Sequence, residues 1–504
     1  MTNGATGGPT VDTRQGKLEG IQAERHQAYL GIPFAQPPVG ELRFRAPQPP
    51  APWSGMRSAQ TFGPAAPQVQ RDEPLMQVGP QSEDCLYLNV YTPGADLARR
   101  PVFVWIHGGG FNAGSASQAI YYGGPLAERG DVVVVTINYR VGALGYACFD
   151  QRGGASWGAT ANAGQLDQIA ALEWVRDNIA AFGGDPGAVT VAGESACAYA
   201  ATTLLTMPAA RGLFHRVIAQ SGTAYRWSTP EVADRLMGVL LEELGSSDPT
   251  ELRAMDVRAI VRAQTRAVER LGGENRGPGF TPVFDGRTIP EQPLLAVRAG
   301  AARDIPVITG TNRDETKLYP ERQGVQVDDA RLEHRVRALL GRRADAAPKL
   351  IDTYRKSRAS LGLKHQNVDI SHAISTDHRF RIPAVRLAET QSAHQPRTYH
   401  YLFSYESPGF KASVHGMELP FMFGTHEREG VKGGFAGTGP DADRLAGQMM
   451  DAWIEFIRHG DPSGVLPWAP YESSARQTQV FDRRSELVSA PFDDERRAWD
   501  GIIP

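Results

Sequence analysis

Cysteine is scarce: the chain has only three in 504 residues, Cys85, Cys148 and Cys197. That is too few for a disulfide framework and points to a reducing setting. The net charge is also small, −3 with histidine neutral, so no electrostatic drive toward nucleic acid or an anionic membrane is expected. No stretch reaches about 18 uninterrupted apolar residues, which argues against a membrane-spanning helix. The opening residues, MTNGATGGPTVDTRQG, lack the basic start and apolar run of a signal peptide. These absences together predict a cytoplasmic protein. No histidine, cysteine and carboxylate grouping with metal-ligand spacing stands out, and no internal repeat or long low-complexity segment is seen. Neither a metal nor a cofactor is expected.

What the chain does have is an ordinary globular composition, 41% hydrophobic and 22% charged, with length for a large core. Large α/β enzymes often run to this length as one unit, so 1–504 reads as a single domain. Pro and Gly crowd the first 60 residues (GIPFAQPPVGELRFRAPQPPAPW), a region expected to be held by turns and packing. Short apolar, β-branched or aromatic runs follow at 101–106, 131–140, 189–193, 216–220, 305–310 and 398–403. Being apolar on both faces, they suit buried strands of a mostly parallel sheet. Helical patterns lie between them, as at 166–182 and 449–460. Alternating strands and helices predict an α/β fold with helices on both faces of the sheet. Residues 320–395 are charged, helical in pattern and free of strand runs, and should form a helical excursion over one end of the sheet. Residues 427–443 read as a glycine-rich loop.

Chemistry concentrates at VTVAGESACAYAATTLL. A strand runs into Gly193-Glu194-Ser195-Ala196 and a small-residue helix leaves. A serine on such a tight strand-to-helix turn presents its hydroxyl at the carboxyl edge of the sheet, beside the helix N-terminal N–H groups. Short Gly-x-Ser patterns also arise by chance, so the flanking elements carry the argument. Upstream, the strand PVFVWI leads into His107-Gly108-Gly109-Gly110. A glycine run lets backbone N–H donors approach a developing oxyanion without a Cβ in the way. The serine needs a base. His415, in ASVHGMELPFMFG, stands in a loop after the late strand TYHYLF. An acid should precede it in chain order. Asp314 and Glu315, in VITGTNRDETKLY, both fit, and pattern alone leaves that choice open.

These segments carry a resemblance to the type-B carboxylesterase family, which includes bacterial para-nitrobenzyl esterases and the cholinesterases. It runs from about residue 10 to the C-terminus through YLGIPFAQPPVGELRFRAP, EDCLYLNVYTP, VWIHGGGF, NYRVGALGY, LDQIAALEWVRDNIAAFGGDP, VTVAGESA, FHRVIAQSG, TPVFDGRTIP, GTNRDE and HGMELPFMFG. The resemblance implies an α/β-hydrolase fold and a serine carboxylesterase. It implies a triad of Ser195, Glu315 rather than Asp314, and His415. Oxyanion donors would be the N–H groups of Gly109, Gly110 and Ala196, and Ser221 would lie near the acid–histidine pair. Arg43 with Glu83 and Arg140 with Asp167 look like the family's structural ion pairs. By analogy, Phe111, Trp227, Phe280, Phe421 and Phe423 would line the pocket, with Arg226 an anchor for an acidic substrate, though each also suits an ordinary core or surface role. Alternatives on the same scaffold are a carbamate or amide hydrolase, an acyltransferase, or a non-catalytic binding module. The last usually lacks the nucleophile, which is present here.

The chain departs from the family pattern in three places. Cys197 stands where most members carry glycine two residues after the serine; the reading adopted is a natural variation in packing, against a selected change or a thiol with its own role. Cys85 matches a family cysteine that often forms a disulfide, but no cysteine precedes it here, so it should be a free buried thiol. The tryptophan that stacks on choline in cholinesterases falls near Leu75, which argues against a choline ester as substrate.

Overall fold

A computed structural model describes residues 7–70, 75, 77–223, 225, 228–272, 279–319, 326–433 and 435–503. Its strands in chain order are β1 (Thr10–Thr13), β2 (Gly16–Glu19), β3 (Ile21–Gln22), β4 (Gln27–Pro33), β5 (Met56–Ser58), β6 (Tyr87–Thr92) and β7 (Arg100–Ile106). They continue with β8 (Val133–Ile137), β9 (Gly184–Glu194), β10 (Arg216–Gln220), β11 (Val307–Asn312), β12 (Thr398–Phe403), β13 (Gln477–Phe481) and β14 (Glu486–Ser489). Eleven of them form one sheet in the order β14-β13-β12-β11-β10-β9-β7-β8-β6-β4-β3, and β1, β2 and β5 form a small separate sheet. Strands from β8 through β13 in the sheet are mutually parallel, while β6, β4, β3 and β14 add antiparallel edges. This is the α/β-hydrolase fold. All six apolar runs of the sequence became strands of the parallel part. The proline-rich start holds more strand than expected, because short segments there pair with the sheet edge and with each other.

The sheet is buried on both faces, and β7 shows why. Val102, Val104 and Ile106 alternate onto one core cluster, and Phe103 and Trp105 onto the other. Period-two alternation with apolar residues in both phases leaves no polar face, so helices must cover both sides. One such helix is Ala163–Asn178; a 3-10 turn extends it to Phe182 and Gly183, at φ 79°, ends it. Another, Pro440–His459, starts earlier than the apolar pattern suggests and stops at Gly460 in the left-handed conformation. The stretch expected to be a helical excursion forms helices Asp329–Leu340, Ala347–Ser360, Asn367–Thr376 and Ile382–Ser392. A π-helical turn, Asp377–Arg381, joins the last two. Their apolar faces pack together with Trp499 and Ile503 from the C-terminal segment in a third cluster. Among the described residues, no helix is long and apolar enough to cross a membrane. All three cysteines, Cys85 included, are buried and unpaired.

Both expected ion pairs form. Arg43 clamps Glu83 with Nε–Oε1 at 2.7 Å and Nη2–Oε2 at 2.5 Å, and donates Nη1 to the Leu252 and Met255 carbonyls. Arg140 meets Asp167 through Nη2–Oδ1 at 2.6 Å and Nε–Oδ2 at 2.8 Å, with both side chains buried. The Arg140 backbone N–H also donates to Asp167 Oδ2 at 3.0 Å, so one carboxylate fixes both the loop after β8 and the helix carrying Asp167. Removing one partner strands the other charge in the core. Asp167→Ala is therefore expected to destabilise the fold by about 3–5 kcal/mol, measured by chemical denaturation.

Candidate active site

Parallel pairing puts the carboxyl ends of β7, β9, β11 and β12 on one edge, the edge where open α/β sheets bind ligands. Register brings Ile106 opposite Gly193, and Gln220 opposite both Glu194 and Gly310. The segments that leave these strands are HGGG, the serine turn, the Glu315 turn and the His415 loop.

Ser195 sits between β9 and the helix Ala196–Leu204 at φ 57°, ψ −125°. A side chain at positive φ costs about 1–3 kcal/mol and persists only where its surroundings force it. Here they do. The Ser195 N–H donates to the Gln220 carbonyl at 2.9 Å, and the Ser195 carbonyl accepts from Ala198 and Tyr199 N–H. Gly222 lies so close that an added Cβ would meet the Ser195 carbonyl at 2.3 Å. The HGGG loop abuts the same turn: a Cβ on Gly108 would stand 3.5 Å from Ser195 Cβ and 3.0 Å from Glu194 Oε2. Gly109 at φ 122° and Gly110 at φ 67° adopt backbone that a side chain disfavours. Their N–H groups have no acceptor among the described residues. Ala196 opens its helix, where N–H groups lack an intrahelical partner.

His415 Nδ1 lies 2.6 Å from Glu315 Oε2, and its backbone N–H donates to the Glu315 carbonyl at 3.3 Å. Glu315 Oε1 accepts the Asn312 N–H at 2.8 Å. Glu315, not Asp314, faces the histidine. Asp314 turns instead to Arg313, Lys317 and the Ser413 N–H. Burial would raise its pKa, but Arg313 and Lys317 hold it at about 2. The two neighbouring acids are thus separated by their partners.

The other imidazole nitrogen points somewhere the sequence did not suggest. His415 Nε2 lies 3.0 Å from Glu194 Oε1. Among the described residues, Glu315 is the imidazole's side-chain hydrogen-bond partner; Glu194 Oε1 stands at ion-pair distance without a hydrogen bond, and the adjacent Ser195 hydroxyl does not bond the ring. Apo sites often hold such bonds open until substrate arrives. A third acid, Glu418, is buried nearby and accepts from Gln220 Nε2 at 3.3 Å and Asn312 Nδ2 at 2.6 Å. Burial pushes Glu194 up to about 8 and Glu418 up to about 7. Burial alone would lower His415, yet Glu194 and Glu315 outweigh it and hold the imidazole well above the ordinary histidine range. Phe380, on the π-helical turn, covers the ring with centroids 4.8 Å apart. Glu194 was visible as part of the elbow motif, but its reach to the histidine depends on the β9–β10–β11 register, which no local pattern encodes.

Comparison with known proteins identifies the family. The family model described as "Carboxylesterase family" matches residues 7–497. The chain is 36% identical to para-nitrobenzyl esterase of Bacillus subtilis (strain 168), covering 97% of both chains. It is 35% identical to phenmedipham hydrolase of Pseudarthrobacter oxydans, over 90% of this chain and 91% of that one. A solved Geobacillus stearothermophilus carboxylesterase superposes with a TM-score of 0.87 at 37% identity, covering 97% of this chain and 99% of the other. The chain belongs to the carboxylesterase family. It is a carboxylic ester hydrolase of the type-B class.

The remaining expected positions divide. Within this carboxylesterase, Ser221 is fully buried at the end of β10 with φ 51°, and its hydroxyl has no hydrogen-bond partner among the described residues. It follows Gln220, which pairs with Glu194 of the elbow strand, but its hydroxyl is not hydrogen-bonded to the acid–histidine pair. Phe111 follows the glycine loop at φ 62° and packs edge-on against Tyr146, and Phe280 is buried in the same core cluster. Phe421 and Phe423 do not line a pocket. Phe421 is fully buried against Phe403, Tyr405 and His426, and Phe423 against Phe103, Trp105 and Tyr121. The helical turn Leu419–Phe423 points them into the second core rather than toward the serine. Trp227 and Arg226 lie outside the described residues. One grouping of metal-compatible donors, His426, Glu427 and Asp443, escaped the sequence pattern. Two of its members are exposed, and His426 Nε2 already bonds Asp443 Oδ1 at 2.9 Å, as in an ordinary His–Asp pair.

The pH behaviour of the pair can be tested. Glu194 carries negative charge that favours the imidazolium. Glu194→Gln removes it, so the His415 pKa should fall and the acid limb of kcat/KM should move to lower pH. A histidine NMR titration and a pH–rate profile of the variant read both quantities; an unmoved or raised limb would contradict the coupling.

Proposed function

We propose that this carboxylesterase hydrolyses small-molecule esters through an acyl-enzyme on Ser195, with His415 as base and acid and Glu315 as its orienting partner. The observation that carries the proposal is the Ser195 turn itself, a non-glycine residue forced to positive φ between β9 and a helix, beside a Glu315–His415 pair. His415 Nε2 turns from Glu194 to take the serine proton as Oγ attacks the ester carbonyl. The carbonyl oxygen becomes an oxyanion accepting from the N–H groups of Gly109, Gly110 and Ala196. The imidazolium gives its proton to the leaving alcohol. Water, losing a proton to the same nitrogen, then attacks the acyl carbonyl, and the serine is released with a carboxylic acid. Glu315 keeps Nδ1 protonated, so that Nε2 is the basic nitrogen, and balances the charge that appears.

Glu194 gives this scheme a proton reservoir. Glu194 and His415 titrate as a pair, so a proton on Glu194 can accompany a free-base His415 while an ionised Glu194 accompanies the imidazolium. We read the setting as cytoplasmic, which three buried thiols favour. The cholinesterase tryptophan position falls near the aliphatic Leu75, which favours simple acyl esters over choline esters. Relatives named for para-nitrobenzyl esters and for fumonisin B1 span different substrates, which favours a pocket defined by shape rather than by one charged anchor.

A fluorophosphonate probe followed by peptide mapping should label Ser195, and Ser195→Ala should abolish both labelling and p-nitrophenyl butyrate hydrolysis. A label on another residue, or folded protein that takes none, would sink the assignment. Gly109→Ala places a Cβ 2.1 Å from the Ala113 carbonyl at a φ of 122°, which must shift the loop. It is expected to lower kcat by about 10²-fold, the effect of one lost oxyanion donor.

A further inference from the structure

The direction of an N–H is set by the carbonyl on the same planar peptide unit, because the two point opposite ways. The oxyanion loop can be followed plane by plane on this rule. The Gly109 carbonyl accepts from Asn112 N–H at 3.2 Å and Ala113 N–H at 3.1 Å, which aims the Gly110 N–H. The Gly108 carbonyl lies 3.0 Å from His107 Nδ1, which aims the Gly109 N–H. Burial lowers the His107 pKa to about 4, so the ring is neutral, and since a carbonyl cannot donate, Nδ1 carries its single proton. The orientation of Gly109 therefore depends on what holds His107.

Two groups hold it, and neither belongs to the loop. The His107 ring stacks on Tyr139 with centroids 4.6 Å apart and planes 24° from parallel. The His107 carbonyl accepts from the Tyr139 hydroxyl at 3.1 Å and from the Cys197 thiol. Tyr139 and Cys197 also touch one another, hydroxyl to sulfur at 3.0 Å. Cys197 lies two residues beyond Ser195 on the helix Ala196–Leu204 and is fully buried. A glycine at this position would have no side chain to reach the carbonyl. The thiol is fully buried, and burial pushes its pKa up, which suits a positioning role better than a nucleophilic one.

We propose that Cys197 and Tyr139 are positioning residues that anchor His107 and through it aim the Gly109 N–H at the reacting carbonyl, so that the nucleophile's own helix also sets the oxyanion loop. This inference rests on the reading of Ser195 and Gly109 given above. Because the anchor acts on a donor that matters most when the carbonyl oxygen is charged, its loss should appear in kcat and leave KM nearly unchanged.

The test compares the parent with Cys197→Ala, Cys197→Ser and Tyr139→Phe on p-nitrophenyl butyrate, with affinity for a trifluoromethyl ketone, which forms a hemiketal oxyanion on the serine. Losing an anchor should cost less than losing a donor. Cys197→Ala and Tyr139→Phe are expected to lower kcat about 10-fold, against 10²–10³-fold for a donor. KM should stay within twofold, and ketone affinity should fall in proportion to kcat/KM. Cys197→Ser, which keeps a donor, should recover most of the rate. Folded Cys197→Ala and Tyr139→Phe with kcat within twofold of the parent would overturn the proposal, as would losses confined to thermal stability or KM. Should Cys197→Ala not fold, Tyr139→Phe decides alone. A parent that neither hydrolyses the ester nor labels at Ser195 would instead defeat the site reading, and the two failures are thereby separate.

Discussion

The backbone of Ser195 is the constraint on which the site depends. At φ 57° it is disfavoured for any residue with a side chain, so local propensity cannot hold it. What holds it are its neighbours: the Gln220 carbonyl accepting from its N–H, the Ala198 and Tyr199 N–H groups of the first helical turn donating to its carbonyl, and Gly222 packed too closely for a side chain. Each of these comes from a strand or helix whose place is set by the parallel sheet. The placement of the half-buried Ser195 is thus a product of strand register. A turn relaxed to an ordinary conformation would re-aim the hydroxyl and change how the helix N-terminus meets the glycine loop.

The electrostatics follow from the same placement. Three carboxylates, Glu194, Glu315 and Glu418, are buried around one imidazole, and among the described residues no arginine or lysine pairs with them. Three buried negative charges on one positive ring would be strongly unfavourable. The direction of the shifts is how the fold avoids this: two of the acids move toward neutrality and the histidine moves toward its cation. Asp314 shows the opposite solution one residue from Glu315. It is equally buried but faces Arg313 and Lys317, stays ionised, and is kept out of the chemistry by its own partners.

Legibility in the sequence follows this division between local and long-range. The six buried strands, the serine turn and the glycine loop were readable because period-two apolar runs and glycine clusters carry local physical meaning. Glu315 was not separable from Asp314 by pattern, since both follow β11 and only the side-chain partners differ; the family resemblance supplied the choice that the geometry agrees with. Phe421 and Phe423 were misplaced for a related reason: an aromatic near the histidine loop looks alike whether it faces the pocket or the core, and a single helical turn decides. Phe380 and the Glu194–His415 contact were unreadable, because one depends on a π-helical turn and the other on a register between strands far apart in sequence.

Cys197 joins these threads. On sequence it was a departure from the family pattern with packing as its explanation, and packing does describe its burial. Packing alone, however, would be served by an apolar group of similar size, and the sulfur instead meets two polar groups, the Tyr139 hydroxyl and the His107 carbonyl. A buried carbonyl that lost one donor would keep the other, so the fold tolerates glycine here; what glycine cannot do is join the helix that follows Ser195 to the loop it faces. For the proposed mechanism, Ser195 and the Gly109 and Gly110 N–H groups must be registered to within a few tenths of an ångström so that both reach one carbonyl group. A side chain on the serine's own helix that bonds the loop's first carbonyl ties these two requirements together, so that any shift of one is carried by the other.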